Sequence, residues 1–252
     1  MPEWKDKGIV LSAKKYGEKG LILNILTEKQ GRHLGWFNNY KNKKTSFDIQ
    51  PGNVVDVTWK SRLSDQIGNY KIELLSSVSG KIFDDRLKLQ ALSSTCSLID
   101  VLLPERESYS EIFRATIAFI DLISLINENE DHAWVEGYVR WEIGVLSSIG
   151  YSLDLSKCAV TGEKNNLCYV SPKTGKAVTF EGAGEYAPKL LHLPFFLGGI
   201  KNKNYYFYID ILDGLKITTY FFKNKLFTII NNNKIVKLPD SRNRLIEMIE
   251  KL

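Results

Sequence analysis

The feature that most narrows the fold of this chain is a change of hydrophobic period near Lys81. Before it, apolar residues recur every second position in short runs separated by glycine-rich turns. After it, they recur at helical spacing. Gly8–Lys15 reads as a first strand. Leu21–Thr27 reads as a second, with Leu21, Leu23 and Ile25 on one face, and Arg32–Phe37 as a third. Asn53–Lys60 alternates, with Val55, Val57 and Trp59 opposite Asp56, Thr58 and Lys60, and Asn69–Ser77 places Tyr70, Ile72 and Leu74 together. Tyr16–Gly20 and Glu28–Gly31 supply turns. Five short strands in residues 1–80 predict a small closed barrel with no unpaired edge, OB-type first and SH3-like second.

From residue 81 to 252 the chain predicts an α-helical domain, so the fold class is α+β. Ile82–Leu103 is expected as a helix with Leu87, Leu89, Leu92, Cys96, Ile99 and Leu103 available for a core, ended by Pro104. Ser110–Asn127 and His132–Ile149 follow, the latter stopping at Gly150. Lys189–Phe196 predicts a short helix, Tyr206–Ile230 an aromatic-rich one, and Ser241–Leu252 the last. Residues 157–187 form a Gly/Lys/Thr-rich insertion with little helical character.

Charge is distributed in blocks. Residues 1–81 hold 14 Lys and Arg against 8 Asp and Glu, residues 82–156 hold 5 against 13, and residues 157–252 hold 15 against 8. Basic, acidic and basic stretches of this size point to separate modules, of which only the basic ones suit a polyanion. No apolar run reaches the roughly 18–20 residues of a membrane span. The start, Met1–Lys7, lacks a signal-peptide pattern, and three cysteines make no disulfide framework. The expected location is cytoplasmic.

Catalytic chemistry is not expected. His33, His132 and His192 are isolated, and no phosphate-binding glycine loop or nucleophile elbow is present. Metal binding is also not expected. Cys158-Ala159-Val160-Thr161-Gly162 has the outline of a Cys-x-x-Cys-Gly knuckle with threonine at its second ligand. Cys168 stands alone ten residues later, so two thiols would need His192 or another chain to hold zinc. The insertion reads as a degenerate, metal-free zinc-knuckle-like loop, and no cofactor is predicted.

Nucleic-acid binding is the positive reading. After the third strand comes Trp36-Phe37-Asn38-Asn39-Tyr40-Lys41-Asn42-Lys43-Lys44, three lysines within four positions beside aromatic rings. Single strands are held by cations on phosphates and by stacking of bases on rings. Tyr40, Lys41, Lys43 and Lys44 are the central candidates, while Trp36 and Phe37 are assigned to the barrel core. Lys14, Lys15, Arg32, Lys60 and Arg62 extend the surface if the barrel gathers those strand ends. An RNA-directed accessory protein and a protein adaptor that never touches nucleic acid fit the same features.

Gly8-Ile9-Val10-Leu11, Tyr16-Gly17-Glu18-Lys19, Leu23–Thr27 and Gly31-Arg32 come in an order that resembles the opening of the bacterial RecO family of recombination mediators. The basic loop, Leu146–Asp154 with its Gly150-Tyr151 step, Cys158–Gly162 and Tyr169–Val178 continue the likeness along nearly the whole chain. The resemblance implies an N-terminal OB domain and a helical domain with a zinc module, here departing from zinc-bearing members at Thr161. It implies a DNA-repair role without bond chemistry: binding of single- and double-stranded DNA, strand annealing, and help in loading RecA. Implied partners are a RecR-like mediator and the acidic C-terminal tail of single-strand-binding protein, for which Lys201, Lys203, Lys216 or Lys223 are candidate rim residues. Nucleoid association in the cytoplasm follows from that role.

Overall fold

The computed structural model describes residues 1–17, 20–38, 47–63, 66–125, 133–201, 206–226 and 237–252. Packing divides the chain into two compact units, Met1–Asp131 with Pro239–Leu245 and His132–Leu238 with Ile246–Leu252. Residue 80, where the sequence predicts a boundary between domains, lies within the first of these units. The change of period marks a change of secondary structure, but the first helices after it stay packed with the barrel.

In unit 1, β1 (Glu3–Tyr16), β2 (Gly20–Thr27), β3 (Gly31–Asn38), β4 (Val54–Lys60) and β5 (Gly68–Ser76) close into a barrel of order β1-β2-β3-β5-β4. This is the OB arrangement and not the SH3-like one. β1 serves two neighbours. Residues 3–9 pair with β4, residues 8–16 pair with β2, and a register shift between Val10 and Ser12 separates the two ladders. Such bulges bend a strand and sharpen its twist, which lets one strand take part in both sides of a closure. The sequence reading missed Glu3–Lys7 because these residues carry charge on the outer face. Their pairing with Asp56–Lys60 makes them strand.

Alternation fills the barrel. Val10, Leu21, Leu23, Ile25, Phe37, Ile49, Val55, Val57, Trp59 and Tyr70 form its core, with Trp4, Ile72 and Leu74 packed against it. Trp4 stacks on Trp59 at 5.6 Å, and His33 meets Trp59 edge-on at 4.8 Å. Phe37 is buried as expected, but Trp36 is only half-buried and not in that core. Neighbouring strand residues point to opposite faces, so the two rings cannot share one.

A single turn α1 (Val78–Lys81) leads to α2 (Arg86–Leu102). The expected start at Ile82 is corrected to Arg86, because Asp85 Oδ1 accepts the backbone N–H groups of Leu87 and Lys88 and caps the helix there. Ala91, Leu92, Cys96, Leu98, Ile99 and Leu102 form its buried side, whereas Leu87 and Leu89 are half-buried. Cys96 is core, its thiol pushed up to about 12 by burial. α3 (Ser110–Leu125) completes the main helices of this unit.

Unit 2 contains α4 (Ala133–Ser148), the three-stranded sheet β6 (Leu167–Val170), β7 (Ala177–Thr179) and β8 (Leu191–His192) in the order β7-β6-β8, and α6 (Phe207–Phe221). Between β7 and β8 lie the short α5 (Phe180–Ala183) and a 3₁₀ turn, Gly184–Lys189. The helix predicted over Lys189–Phe196 is instead β8 followed by a 3₁₀ turn at Phe195–Leu197. Pro194 offers no N–H to continue a helix and stands as the cap of that turn. The helix predicted over Tyr206–Ile230 ends as α-helix at Phe221 and continues as a π turn to Leu226. α7 (Asp240–Ile249) closes the chain. Among the described residues, no helix is long and apolar enough to cross a membrane.

Candidate nucleic-acid interface

Strand register, not proximity in sequence, assembles the site. On the barrel's outer face Lys14 pairs with Ile22, Ile22 with Trp36, Trp36 with Asn69, Asn69 with Lys60, and Lys60 with Glu3. This single row circles the barrel and returns to β1 near its other end, the stagger that closure of tilted strands requires. Lys14, Lys60 and Asn69 are exposed, and Ile22 and Trp36 are half-buried. Lys15 and Tyr16 follow Lys14, where β1 pairs with β2 alone, and both are exposed. Arg62 is exposed just beyond β4. Lys60 Nζ lies 2.7 Å from Glu3 Oε2, with both side chains solvent-accessible. A surface pair of this kind contributes at most about 1 kcal/mol and exchanges readily for a phosphate.

The structure thus brings Lys14, Lys15, Lys60 and Arg62 to the barrel end that holds the β1–β2 and β4–β5 connections. Arg32 does not join them. Its Nε donates to the Leu103 carbonyl at 2.8 Å, and its guanidinium lies 3.2 Å from Asp100 and 3.8 Å from Glu105. Only 13% of that side chain is accessible. Arg32 holds the barrel to the end of α2, so its charge is spent within the fold. Tyr40, Lys41, Lys43 and Lys44 lie outside the described residues.

Sequence reasoning missed two contributors. Trp36 lies on the outer face, which the inward pattern Leu21, Leu23, Ile25 and Phe37 could have revealed, since its partner Ile22 alternates with them. Tyr16, read only as part of a turn, meets Trp36 at a ring separation of 5.5 Å and an interplanar angle of 88°.

A different part of the outer face looks unlike this end. Lys5, Lys7 and Lys71 line a groove of about 520 Å³ together with Glu28, Asp56 and Glu73. With Lys29 and Asp6 also lining it, four lysines face four carboxylates, so the groove offers no net field to a polyanion.

In unit 2 the degenerate knuckle keeps a knuckle's hydrogen bonds without a ligand set. Cys158 Sγ accepts N–H groups from Val160, Thr161 and Thr179 at 3.3–3.4 Å, with Thr179 Oγ1 also 3.4 Å away. Burial pushes this thiol up, but the side-chain and backbone hydrogen bonds of Thr161 and Thr179 together outweigh it and bring it down to about 6. Cys168 donates to the Asn166 carbonyl, and burial raises its thiol. His192 Nδ1 is engaged with Asp213 at 3.1 Å. Among the described residues no three His, Cys, Asp or Glu side chains are placed to share a metal ion. A zinc ion needs four close donors, so the residues present do not fit one. Threonine backbone and hydroxyl groups solvate the one sulfur instead.

Unit 2 also has an open, mainly apolar groove of about 390 Å³, lined by Ile143, Leu153, Leu155 and Leu197 with Arg140 beside them. The Arg140 guanidinium lies over the Phe196 ring at 5.5 Å. Of the candidate rim lysines, Lys216 pairs with Asp213 at 2.8 Å, Lys201 sits over the Phe195 ring at 5.4 Å, and Lys223 is exposed beyond α6. Lys203 lies outside the described residues.

Residues 1–78 match the family model described as Recombination protein O N terminal, and residues 84–230 the one described as Recombination protein O C terminal. Curated relatives match along nearly their whole length. DNA repair protein RecO of Rhodospirillum rubrum is 38% identical over 255 residues, covering 100% of this chain and 98% of that one. The protein of the same name from Ruegeria sp. is 37% identical, covering 98% of each chain, and that from Jannaschia sp. is 36% identical, covering 99% and 97%.

Proposed function

This chain belongs to the RecO family of DNA repair proteins, and from that membership we propose that it is a recombination mediator that binds DNA through the loop-bearing end of its barrel. The observation that carries this reading is the gathering of Lys14, Lys15, Lys60 and Arg62 around the β1–β2 and β4–β5 connections. Those are the loops through which OB barrels take oligonucleotides. Tyr40, Lys41, Lys43 and Lys44, which follow β3 in the sequence, are further candidates for contact with the strand by residue type alone.

The mechanism needs no bond chemistry. Two complementary strands repel through their phosphates, and cations on each backbone remove that barrier while base edges stay available for pairing. Annealing is therefore the activity such a surface performs, binding the single strands and then the duplex they form. Its biological setting is strand loading of RecA with a RecR-like mediator on DNA coated with single-strand-binding protein. The acidic, apolar-ended tail of that protein suits the Arg140 groove, where apolar side chains and one guanidinium stand together.

The test is strand annealing and oligonucleotide binding by the full chain and by a K14E/K15E/K60E/R62E variant. The parent anneals strands coated with single-strand-binding protein, equally well with and without chelator. The variant binds single strands about a hundredfold more weakly at low salt. Its salt slope is shallower by about 0.7 for each phosphate that the variant no longer neutralises. Equal affinity of parent and variant, or strong preference of the parent for RNA over matched DNA, overturns the reading.

A further inference from the structure

We propose that Trp36 and Tyr16 form a stacking platform for an unpaired base, which gives this barrel end a preference for single strands over duplex. The inference rests on the nucleic-acid reading above and specifies which form of DNA the site selects.

Neither ring belongs to the barrel core. Trp36 points outward from β3, and its indole lies directly over the backbone of Gly20. A Cβ at Gly20 would fall 2.0 Å from Trp36 Cζ2, so glycine there is what allows the ring to lie down across β2. Gly20 pairs with Tyr16, which brings the phenol beside the indole at right angles. Tyr16 remains 60% exposed. Two aromatic rings are thus held in a fixed relation on the outside of a barrel, where burial alone gives no reason for them.

The flanking charges match a single strand. Lys14 and Lys60 occupy the same row as Trp36, each two strands away on opposite sides. At the usual strand spacing that places both about 10 Å from it. A base on the indole then has a cation available for the backbone on either side. Bases in a duplex already stack on their neighbours and pair through their edges, so they have no free face to offer. Only an unpaired base gains from the platform, and ring–base stacking is sequence-tolerant because every base has a π-face. Pairing with an incoming strand removes that gain, so the platform favours release of the finished duplex.

The experiment compares the full chain with Trp36→Leu, Tyr16→Leu, the double variant and Trp36→Phe, using a labelled oligo-dT and a matched duplex at one salt concentration. The double variant is expected to lose at least about tenfold in oligo-dT affinity while duplex affinity stays within about twofold. Trp36→Phe, which keeps a ring, is expected to retain most of the single-strand affinity. Oligo-dT is also expected to quench parent tryptophan fluorescence, with the quenching lost in Trp36→Phe. If the parent binds oligo-dT and the double variant binds it equally well, the platform is wrong while the interface stands. Equal losses on oligo-dT and duplex mean that the rings only shape the barrel end, which also overturns the platform. If the leucine variants melt early, Trp36→Phe decides: unchanged quenching in that variant overturns the proposal. A parent that binds neither ligand at low salt removes the interface reading itself, and the platform with it.

Discussion

The outer surface of the barrel has two regions built from the same strands. On one, Ile22 and Trp36 share a row with the exposed Lys14 and Lys60. On the other, Asn24 one row along and Arg32 two rows along both donate to Asp100 Oδ1 of α2, at 2.5 and 3.2 Å. Leu26, which pairs with Arg32, is fully buried. One region offers its cations to solvent, and the other has consumed its cation in holding a helix. The difference shows that sign of charge does not identify a phosphate ligand. What matters is whether the fold supplies a carboxylate and a carbonyl at the same place.

The comparison makes a demand on the covered region: damage there must appear in stability and not in affinity. The largest expected effect is at Gly31. Its φ is +71°, and a Cβ added there would lie 1.8 Å from the Glu107 carbonyl oxygen, because the chain between α2 and α3 runs directly against it. Arg106 N donates to the Arg32 carbonyl at 2.8 Å and ties the same segment down. Gly31→Ala combines left-handed strain of about 1–2 kcal/mol with a clash of about 1–3 kcal/mol. We expect a loss of roughly 3 kcal/mol in urea unfolding, with the salt dependence of oligonucleotide binding unchanged for the folded protein. A change in that salt slope would mean that the covered region also reaches phosphates.

Arg32 gives the next largest effect and the sharpest contrast. Arg32→Ala leaves Asp100 and the Leu103 carbonyl without their shared donor in a part-buried place, which costs about 2 kcal/mol. Single-strand affinity measured well below the melting temperature is expected to match the parent. Lower affinity with unchanged melting would return Arg32 to the phosphate surface and dissolve the distinction between the two regions.

Those same residues show how much was legible beforehand. The inward alternation of Leu21, Leu23 and Ile25, and of Val55, Val57 and Trp59, was enough to predict five strands and a closed barrel, because burial on one face imposes period 2. The row through Lys14, Trp36 and Lys60 was not legible, since it depends on the bulge after Val10 and on closure between β3 and β5, neither of which leaves a local mark. The partners of Arg32 were not legible for a related reason: Asp100 and Leu103 lie about 70 residues away. In unit 2, the departure at Thr161 was visible in the sequence. The use of Thr161 and Thr179 to solvate the Cys158 sulfur was not, because Thr179 arrives from β7.

The smallest expected effect separates the barrel's interior from its open surface by pH. His33 is buried against Trp4 and Trp59, and its Nδ1 lies 3.0 Å from the Leu34 carbonyl. Burial holds its pKa below the ordinary 6.5, a shift opposed by the Leu34 carbonyl, deepened by Arg106 and opposed again by Glu105. As pH falls below about 6.5, the unfolded chain takes up this proton before the folded one, so stability present above that pH is lost as pH falls through the folded pKa. Urea midpoints at pH 7.5 and 5.5 are therefore expected to show a smaller acid-side loss for His33→Phe than for the parent. Oligonucleotide affinity of the folded parent is expected to change no more than that of His33→Phe over the same interval. An affinity that rises on acidification in the parent alone would mean that a charged His33 reaches the phosphates, and the interior could no longer be set apart from the proposed binding surface.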